Sequence, residues 1–258
     1  MTETTGTDEP VKDDALEIEV PADPLAGHPA SAYFWGHVAG GGRVSEDGLE
    51  VVTGDERAAR VLAAIAGADG GDLDRETTSR EYAHDASITR TEEDYTLSLS
   101  TTGDDGTLLG RRSPLGLPVD GRGNYRFGAF ADHRRELLRG LLEGCGTICF
   151  KSSSGTVGIS FVHEDRGLLE SVRDLIADHP IDAPCDDVAE TSSGSYWFGL
   201  DDDAVPAFGR WLYETAEGTG LYAPSRRRKL ERSLEQADLG DGGSGGDSDD
   251  PGSGGEQS

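Results

Sequence analysis

Hydrophobic and polar positions recur along the chain in a pattern that predicts the same order of helices and strands twice. Apolar residues at helical spacing predict helices over residues 31–40, 55–66, 132–144, 166–177, 205–216 and 224–236. Alternating or β-branched runs predict strands over residues 42–45, 49–53, 80–91, 94–101, 147–151, 156–162, 188–191 and 196–200. We interpret each half as one αββαββα unit, which indicates two fused copies of one small α+β domain.

The same pattern divides the chain into five segments. Residues 1–27 and 236–258 combine few apolar positions with many acids, so we expect a disordered acidic tail at one end and a disordered Gly/Ser/Asp tail at the other. The first repeat is assigned to residues 28–107 and the second, which ends in a basic helix, to residues 132–235. Residues 108–131 contain Pro114, Pro118 and several glycines, and are predicted to form an irregular linker.

One stretch in each repeat has glycines at matching places. Residues 34–42 read Phe-Trp-Gly-His-Val-Ala-Gly-Gly-Gly, and residues 138–146 read Leu-Arg-Gly-Leu-Leu-Glu-Gly-Cys-Gly. Glycine costs a helix interior about 1 kcal/mol, whereas glycines four residues apart lie on one helix face and let two helix backbones approach closely. We therefore predict a helix interface at the third and seventh positions, with ordinary loop and cap glycines as the alternative. These positions are Gly36, Gly40, Gly140 and Gly144.

Over residues 31–235 the chain resembles the LAGLIDADG homing endonuclease family. Three features carry the resemblance: the paired glycine motif, the αββαββ order associated with each copy, and the closing segment Leu-Tyr-Ala-Pro-Ser-Arg-Arg-Arg-Lys-Leu at residues 221–230. The resemblance implies a pseudo-symmetric α+β fold in which the two motif helices pack together and the sheets form a saddle over DNA. It also implies that an acid at the eighth position of each motif binds divalent metals that activate water for phosphodiester hydrolysis.

The eighth motif positions hold no acid in this chain. They are occupied by Gly41, which has no side chain, and by Cys145, whose soft thiol is poorly suited to Mg²⁺. The only nearby candidate acid, Glu143, lies two residues earlier and about 200° around the helix, so it does not simply substitute. We therefore assign no catalytic residue and no metal ligand, and expect no cofactor unless catalysis survives with Mg²⁺.

The chain carries a formal net charge of −27 and has lysine at only three positions. We interpret this acid excess as adaptation to concentrated salt, so the protein is expected to be halophilic. Two basic zones stand out from the acidic background and are candidates for phosphate contacts, with ion pairs along a helix face as the alternative for the second. The predicted DNA-binding residues are Arg111, Arg112, Arg122, Arg126, Lys151, Arg226, Arg227, Arg228 and Lys229.

The remaining features restrict chemistry and location. An odd and small number of cysteines indicates reduced thiols, and we expect Cys145 and Cys149 to be buried structural residues. The six histidines show no metal-binding spacing, and His37 is expected on a helix surface. No apolar run reaches the roughly 20 residues of a membrane helix, and the N-terminus is acidic, so we expect a cytoplasmic protein without membrane contact.

Three functions remain open from the sequence. The favoured hypothesis is a non-catalytic protein that derives from a LAGLIDADG homing endonuclease and binds double-stranded DNA, for example as a regulator. It would be a monomer with an internal pseudo-dimer. The first alternative is an active metal-dependent DNA endonuclease with displaced acids. The second is a protein-interaction module on the same scaffold, which an acidic concave sheet face would favour.

Overall fold

The computed structural model describes residues 18–45, 48–68, 72–82, 85–100, 113–119, 123–178 and 180–241. The elements of the first half are α1 (Pro29–Gly41), β1 (Gly42–Val44), β2 (Gly48–Thr53), α2 (Glu56–Ala66), β3 (Leu73–Tyr82) and β4 (Asp85–Ser100). A 3₁₀ helix (Gly128–His133) leads into the second half. Its elements are α3 (Arg134–Cys145), β5 (Gly146–Lys151), β6 (Thr156–His163), α4 (Arg166–Ala177), β7 (Ala189–Glu190), β8 (Tyr196–Gly199), α5 (Val205–Tyr213), α6 (Ala216–Thr219) and α7 (Pro224–Asp241).

Each half forms one four-stranded antiparallel sheet, and the two sheets have equivalent strand orders. The order is β1-β2-β4-β3 in the first sheet and β5-β6-β8-β7 in the second. One face of each sheet packs into the core, where Val51 and Leu97 are buried in the first half and Ile159 and Phe161 in the second. The opposite face, called the open face below, is formed by the alternate residues of each strand. The α+β fold with two similar halves is thus confirmed.

Helices α1 and α3 pack against each other between the two halves. Every residue of α1 from Ala30 to Gly40 is buried, so this helix has no polar face. Helices α2 and α4 bury one apolar face each, and their first turns are capped by the carboxylates of Asp55 and Asp165. Among the described residues, no helix is both long enough and apolar enough to cross a membrane.

Several element boundaries differ from those predicted. The single strand predicted over residues 80–91 is wrong, because β3 ends at Tyr82 and β4 begins at Asp85 within that range. The helix predicted over residues 205–216 is divided into α5 and α6. Helix α7 continues beyond residue 236, since Leu234 and Ala237 still pack against the core.

The described part of the predicted linker packs into the core. Leu115, Leu117 and Phe130 are almost completely buried. The backbone N–H of Gly123 and the hydroxyl of Tyr125 both donate to the Asp165 carboxylate at 2.9 Å. This segment is therefore anchored to the second half and is more ordered than the irregular linker that its prolines and glycines indicate.

Candidate nucleic-acid interface

The four glycines of the predicted helix interface lie where α1 and α3 make backbone contact. A Cβ atom placed on Gly36 or Gly140 would overlap a carbonyl oxygen of the opposite helix. On Gly144 or Gly40 the added atom would lie 2.8 Å or 3.1 Å from a carbonyl oxygen of the facing helix. The structure thus brings all four glycines together and leaves no space for larger side chains between the helices.

The eighth motif positions lie at the C-terminal ends of these two helices. A Cβ on Gly41 would lie 2.8 Å from the carbonyl oxygen of Gly144, so an acidic side chain requires the backbone to move. The thiol of Cys145 donates to the carbonyl oxygen of Leu141 at 3.3 Å. Burial raises the pKa of Cys145 to about 12, against the opposing charge of Arg226. A protonated thiol and a glycine do not fit the divalent metals that the resemblance implies.

Glu143, the acid nearest to these positions, is buried and satisfied by hydrogen bonds within the protein. Its carboxylate accepts from the Tyr33 hydroxyl at 2.6 Å, the Tyr213 hydroxyl at 3.0 Å and the Ala223 backbone N–H at 3.0 Å. Burial raises the pKa of Glu143 to about 7, and these hydrogen bonds oppose the shift. Such a carboxylate joins α1, α3 and the segment before α7, and it is poorly placed to replace a metal ligand.

The described residues contain no group of three or more His, Cys, Asp or Glu side chains placed to hold a metal ion. Two isolated residues of these types differ from expectation. His37 is only 1% exposed, so its expected position on a helix surface is wrong. Burial lowers the pKa of His37 to about 4, and Arg226 adds to the shift. Cys149 is exposed, so its expected burial is also wrong; it follows Ile148, which faces the core, on the alternating β5.

A groove of about 620 Å³ between α7 and β5 holds three cations of the second half. Its lining includes Arg228, Lys229 and Arg232, together with Ser225 and Cys149, and contains no acidic side chain. The helical residues recur at spacings of three and four, which places them on one face of α7. Within the described part of the chain, none of the three cations forms an ion pair with a carboxylate. The groove is therefore a region of unneutralised positive charge in an acidic protein.

Arg232 is a groove residue that the predicted DNA-binding set omits. The available signal was its spacing of four residues from Arg228 and three from Lys229 on a helix. Of the predicted set, Arg126 is exposed and Arg226 is half-buried. Arg111, Arg112 and Arg122 lie outside the described residues.

Two further predicted DNA contacts are engaged in ion pairs. Arg227 lies 2.6 Å from the carboxylate of Glu217 and 2.9 Å from that of Glu231, as in the helix-face alternative. The Lys151 ammonium, on the second open face, lies 2.7 Å from the Asp202 carboxylate. Both side chains therefore have less free charge to offer a phosphate than the groove residues have.

Two arginines of α3 link elements of the second half. Arg139 is completely buried and donates to the carbonyl oxygens of Leu212 and Leu221 at 2.8 Å each. Arg134 pairs with Asp178 at 2.6 Å. Two of the arginines that cluster before and within α3 thus bind other segments of the second half.

The open faces of the two sheets differ in charge. Among the positions whose side chains are described, register and strand alternation place one cation, Arg43, on the first open face. The register also pairs Arg80 with Arg90 in the same alternation. The carboxylates on that face are Glu50, Asp74, Glu76, Glu92 and Asp94. The second open face carries Lys151, which is paired, and otherwise Thr147, Cys149, Thr156, Gly158, Ser160, Val162, Trp197 and Gly199 among its described positions. The described positions of the first face therefore carry more carboxylates than cations. On the second face, the Asp186 carboxylate lies 3.2 Å from a Cβ placed on Gly199.

Comparisons with known proteins bear on the family and on the fold. A family model of the LAGLIDADG type, described as "Putative archaeal homing endonuclease", matches residues 11–240. No curated protein matches the chain. Full-length DUF199/WhiA from Thermatoga maritima is similar with a TM-score of 0.45 and 11% identity over 84% of this chain, which spans 63% of that protein. The homing endonuclease I-WcaI, bound to its DNA recognition sequence, gives a TM-score of 0.45 and 8% identity over 80% of this chain and 87% of its own. Variants of the homing endonuclease I-DmoI give a TM-score of 0.39 and 12% identity over 74% of this chain and 98% of their own.

Proposed function

The chain belongs to the LAGLIDADG homing endonuclease family, and we propose that it binds double-stranded DNA without cleaving it. The observation that carries this proposal is the groove between α7 and β5. Arg228, Lys229 and Arg232 line it without a neutralising carboxylate, although the chain has a net charge of −27. Arginine and lysine clusters of this kind contact phosphate oxygens and supply the sequence-independent part of DNA affinity.

The absence of cleavage is inferred from the two eighth motif positions. Gly41 faces the backbone of Gly144 and has no space for a carboxylate, and Cys145 holds its proton in a bond to a backbone oxygen. Glu143, the nearest acid, already accepts hydrogen bonds from two tyrosine hydroxyls and a backbone N–H. Phosphodiester hydrolysis by paired divalent metals needs hard oxygen ligands, and these positions supply none.

DNA binding is tested by fluorescence anisotropy of a labelled random-sequence duplex and of the DNA upstream of the protein's own gene. We expect binding that weakens with KCl, with a logarithmic slope of about −3 for three phosphate contacts. Preferential binding to the upstream fragment would support a regulatory role. The proposal of DNA binding fails if neither duplex binds at any salt concentration at which the protein remains folded.

Cleavage is tested by incubating a plasmid library with the protein and Mg²⁺ or Mn²⁺. We expect no defined cuts from the wild-type protein. Cys145→Asp is also expected to be inactive, because it supplies one carboxylate while Gly41 still supplies none. Defined cuts that disappear with a chelator would refute the non-cleaving part of the proposal and leave DNA binding unaffected.

The acidic first open face favours a second candidate function, the binding of a basic protein segment. Five carboxylates and Arg43 occupy that face among the residues whose side chains are described, and the same register pairs Arg80 with Arg90. Complementary charge steers partners and selects among them. A pull-down with a purified Lys/Arg-rich peptide, compared with the same peptide acetylated on lysine, tests this candidate. It is rejected if Glu76→Gln together with Asp94→Asn leaves peptide binding unchanged.

A further inference from the structure

We propose that the acidic C-terminal segment of this chain occupies the groove between α7 and β5 and competes there with DNA. The segment comprises residues 242–258, which lie outside the described residues and follow directly on α7. The contact itself depends only on the groove and the segment. Its regulatory consequence rests on the proposed function, because it concerns the cations that contact phosphate in that proposal.

The groove presents free positive charge to an anionic partner. Arg228, Lys229 and Arg232 are exposed and line it, and its lining contains no carboxylate. Glu231, which lies among these cations in the sequence, is already paired with Arg227 at 2.9 Å. The three groove cations are therefore available to carboxylates from another part of the chain.

The segment that follows α7 carries its acids behind a short spacer. Residues 242–246 read Gly-Gly-Ser-Gly-Gly, and Asp247, Asp249 and Asp250 come directly afterwards. The rest of the segment adds Glu256, and residues 242–258 contain no lysine or arginine. Three carboxylates thus lie within a few residues of one another, and their number equals that of the groove cations.

The distance from the end of α7 to the groove matches the reach of this spacer. At about 1.5 Å per helical residue, Arg232 and Arg228 lie about 14 Å and about 20 Å back from Asp241 along the helix axis. Asp249 follows Asp241 by eight residues, and a Gly/Ser-rich chain of that length has a root-mean-square span of about 14–17 Å. A linker whose length matches the distance gives the highest effective concentration. Attachment to α7 therefore favours ion pairs that free acids would form only weakly.

A segment seated in the groove neutralises the cations that DNA needs. Because phosphate and carboxylate cannot occupy the same cations together, the apparent DNA affinity falls in proportion to the fraction of molecules with an open groove. Salt weakens attraction between exposed charges. The competition is therefore strongest in dilute salt and weakest in molar salt.

Disulfide formation tests the contact without DNA, because the exposed Cys149 lines the groove. Ser248→Cys places a second thiol among the acids of the segment. With diamide as oxidant at about 0.1 M KCl, we expect a disulfide between Cys149 and this position within one chain, identified by peptide mass spectrometry. The matched control adds Asp247→Asn, Asp249→Asn and Asp250→Asn to Ser248→Cys, which keeps the reach and removes the charge.

We expect the disulfide to form several-fold more slowly in the neutralised control. Equal rates in the two proteins would overturn the proposed contact and leave the proposed function intact. A disulfide that joins two chains, seen as a dimer in a denaturing gel without reductant, would also overturn it. Circular dichroism verifies that both proteins are folded.

The regulatory consequence is tested by duplex binding in the anisotropy assay. Neutralising Asp247, Asp249 and Asp250 with Asn is expected to strengthen binding several-fold at about 0.1 M KCl, and the gain is expected to shrink towards none at about 1 M. The control changes Asp8, Asp13 and Asp14 to Asn, which alters the net charge equally at the other end of the chain.

An equal gain from both sets of substitutions would overturn the competition, because it would reflect net charge alone. If no protein binds the duplex while the disulfide with Cys149 still depends on the acids, the proposed function fails and the contact stands.

Discussion

Glu143 occupies a buried site in which a carboxylate, two tyrosine hydroxyls and a backbone N–H meet. The residue belongs to α3, while Tyr33 belongs to α1 and Tyr213 to α5, so the carboxylate connects three helices. The guanidinium of Arg139 is close enough to lower its pKa, although burial outweighs that effect and raises the pKa to about 7. At the scale of residues, an acid beside the eighth motif positions connects three helices, and its raised pKa predicts a pH-dependent stability.

Folding stability is expected to depend on the protonation of Glu143. Its pKa is about 7 when folded and 4.5 in its unperturbed state, so the folded chain keeps a proton that the unfolded chain releases. Stability attributable to Glu143 therefore falls as pH rises from about 4.5 to about 7, by an amount on the order of 1–3 kcal/mol, and is constant above that range. Glu143→Gln is expected to remove this fall.

Urea denaturation across this pH range, in buffers of equal salt, measures the difference between wild type and Glu143→Gln. His37 has a pKa lowered to about 4 by burial, so its own contribution rises with pH in an overlapping range. Because His37 is present in both proteins, its effect cancels in the difference. An equal pH dependence in the two proteins would show that Glu143 does not keep its proton in the folded state.

At the scale of elements, the contact between α1 and α3 is set by the absence of side chains. A Cβ on Gly36 or Gly140 would overlap a carbonyl oxygen of the facing helix. Helix α1 is buried from Ala30 to Gly40. Close approach of the helices brings the eighth positions together as well, and this proximity excludes a side chain at Gly41. The packing of α1 against α3 thus also leaves no space for an acidic side chain at Gly41.

Gly140→Ala is expected to destabilise the protein by about 1–3 kcal/mol, because a methyl group there must push the two helix backbones apart. Gly218→Ala is the matched control, since a Cβ at this position in α6 meets no atom within 4 Å. The control is expected to be neutral or slightly stabilising. Thermal denaturation compares the two variants, and similar melting temperatures would refute the tight contact.

At the scale of the whole molecule, charge is distributed unevenly over a symmetric frame. The net charge is −27, yet the groove beside α7 is cationic and the two open faces differ. Repulsion among so many carboxylates destabilises a compact state unless salt screens it. The stability of the whole molecule is therefore expected to depend on salt concentration.

The melting temperature is expected to rise between about 0.1 M and about 1 M KCl, as the screening length falls from about 10 Å to about 3 Å. The physical reason is weaker repulsion among the surface acids. Differential scanning calorimetry measures the rise, and sucrose at matched osmolality serves as the uncharged control. A melting temperature that stays constant or falls with KCl would contradict the interpretation of the acid excess as salt adaptation.

Several elements were predictable because their signals are local. The helix predicted over residues 166–177 agrees with α4, since its apolar residues recur on one face and Asp165 caps its first turn. Asp55 acts in the same way before α2. The end of β3 at Tyr82 and the start of β4 at Asp85 were not predictable from periodicity, because the surrounding polar run shows no change of pattern.

The burial of His37 was also beyond sequence reasoning. A polar residue in a glycine-rich helix predicts exposure, whereas α1 is enclosed on all sides by α3 and other elements. Arg139 shows the same limit, because its partners Leu212 and Leu221 lie more than 70 positions away in the chain. Positions of this kind depend on the packing of distant segments, which local pattern does not contain.

The sequence by itself determined the repeated order of elements, the paired glycines and the lack of an acid at Gly41 and Cys145. These features are local or are read directly from residue identity. Only the tertiary structure decided which cations are free, because the ion pairs of Lys151 and Arg134 join residues far apart in the chain. It also decided which side chains share a sheet face, since a shift of register by one residue moves every side chain to the opposite face.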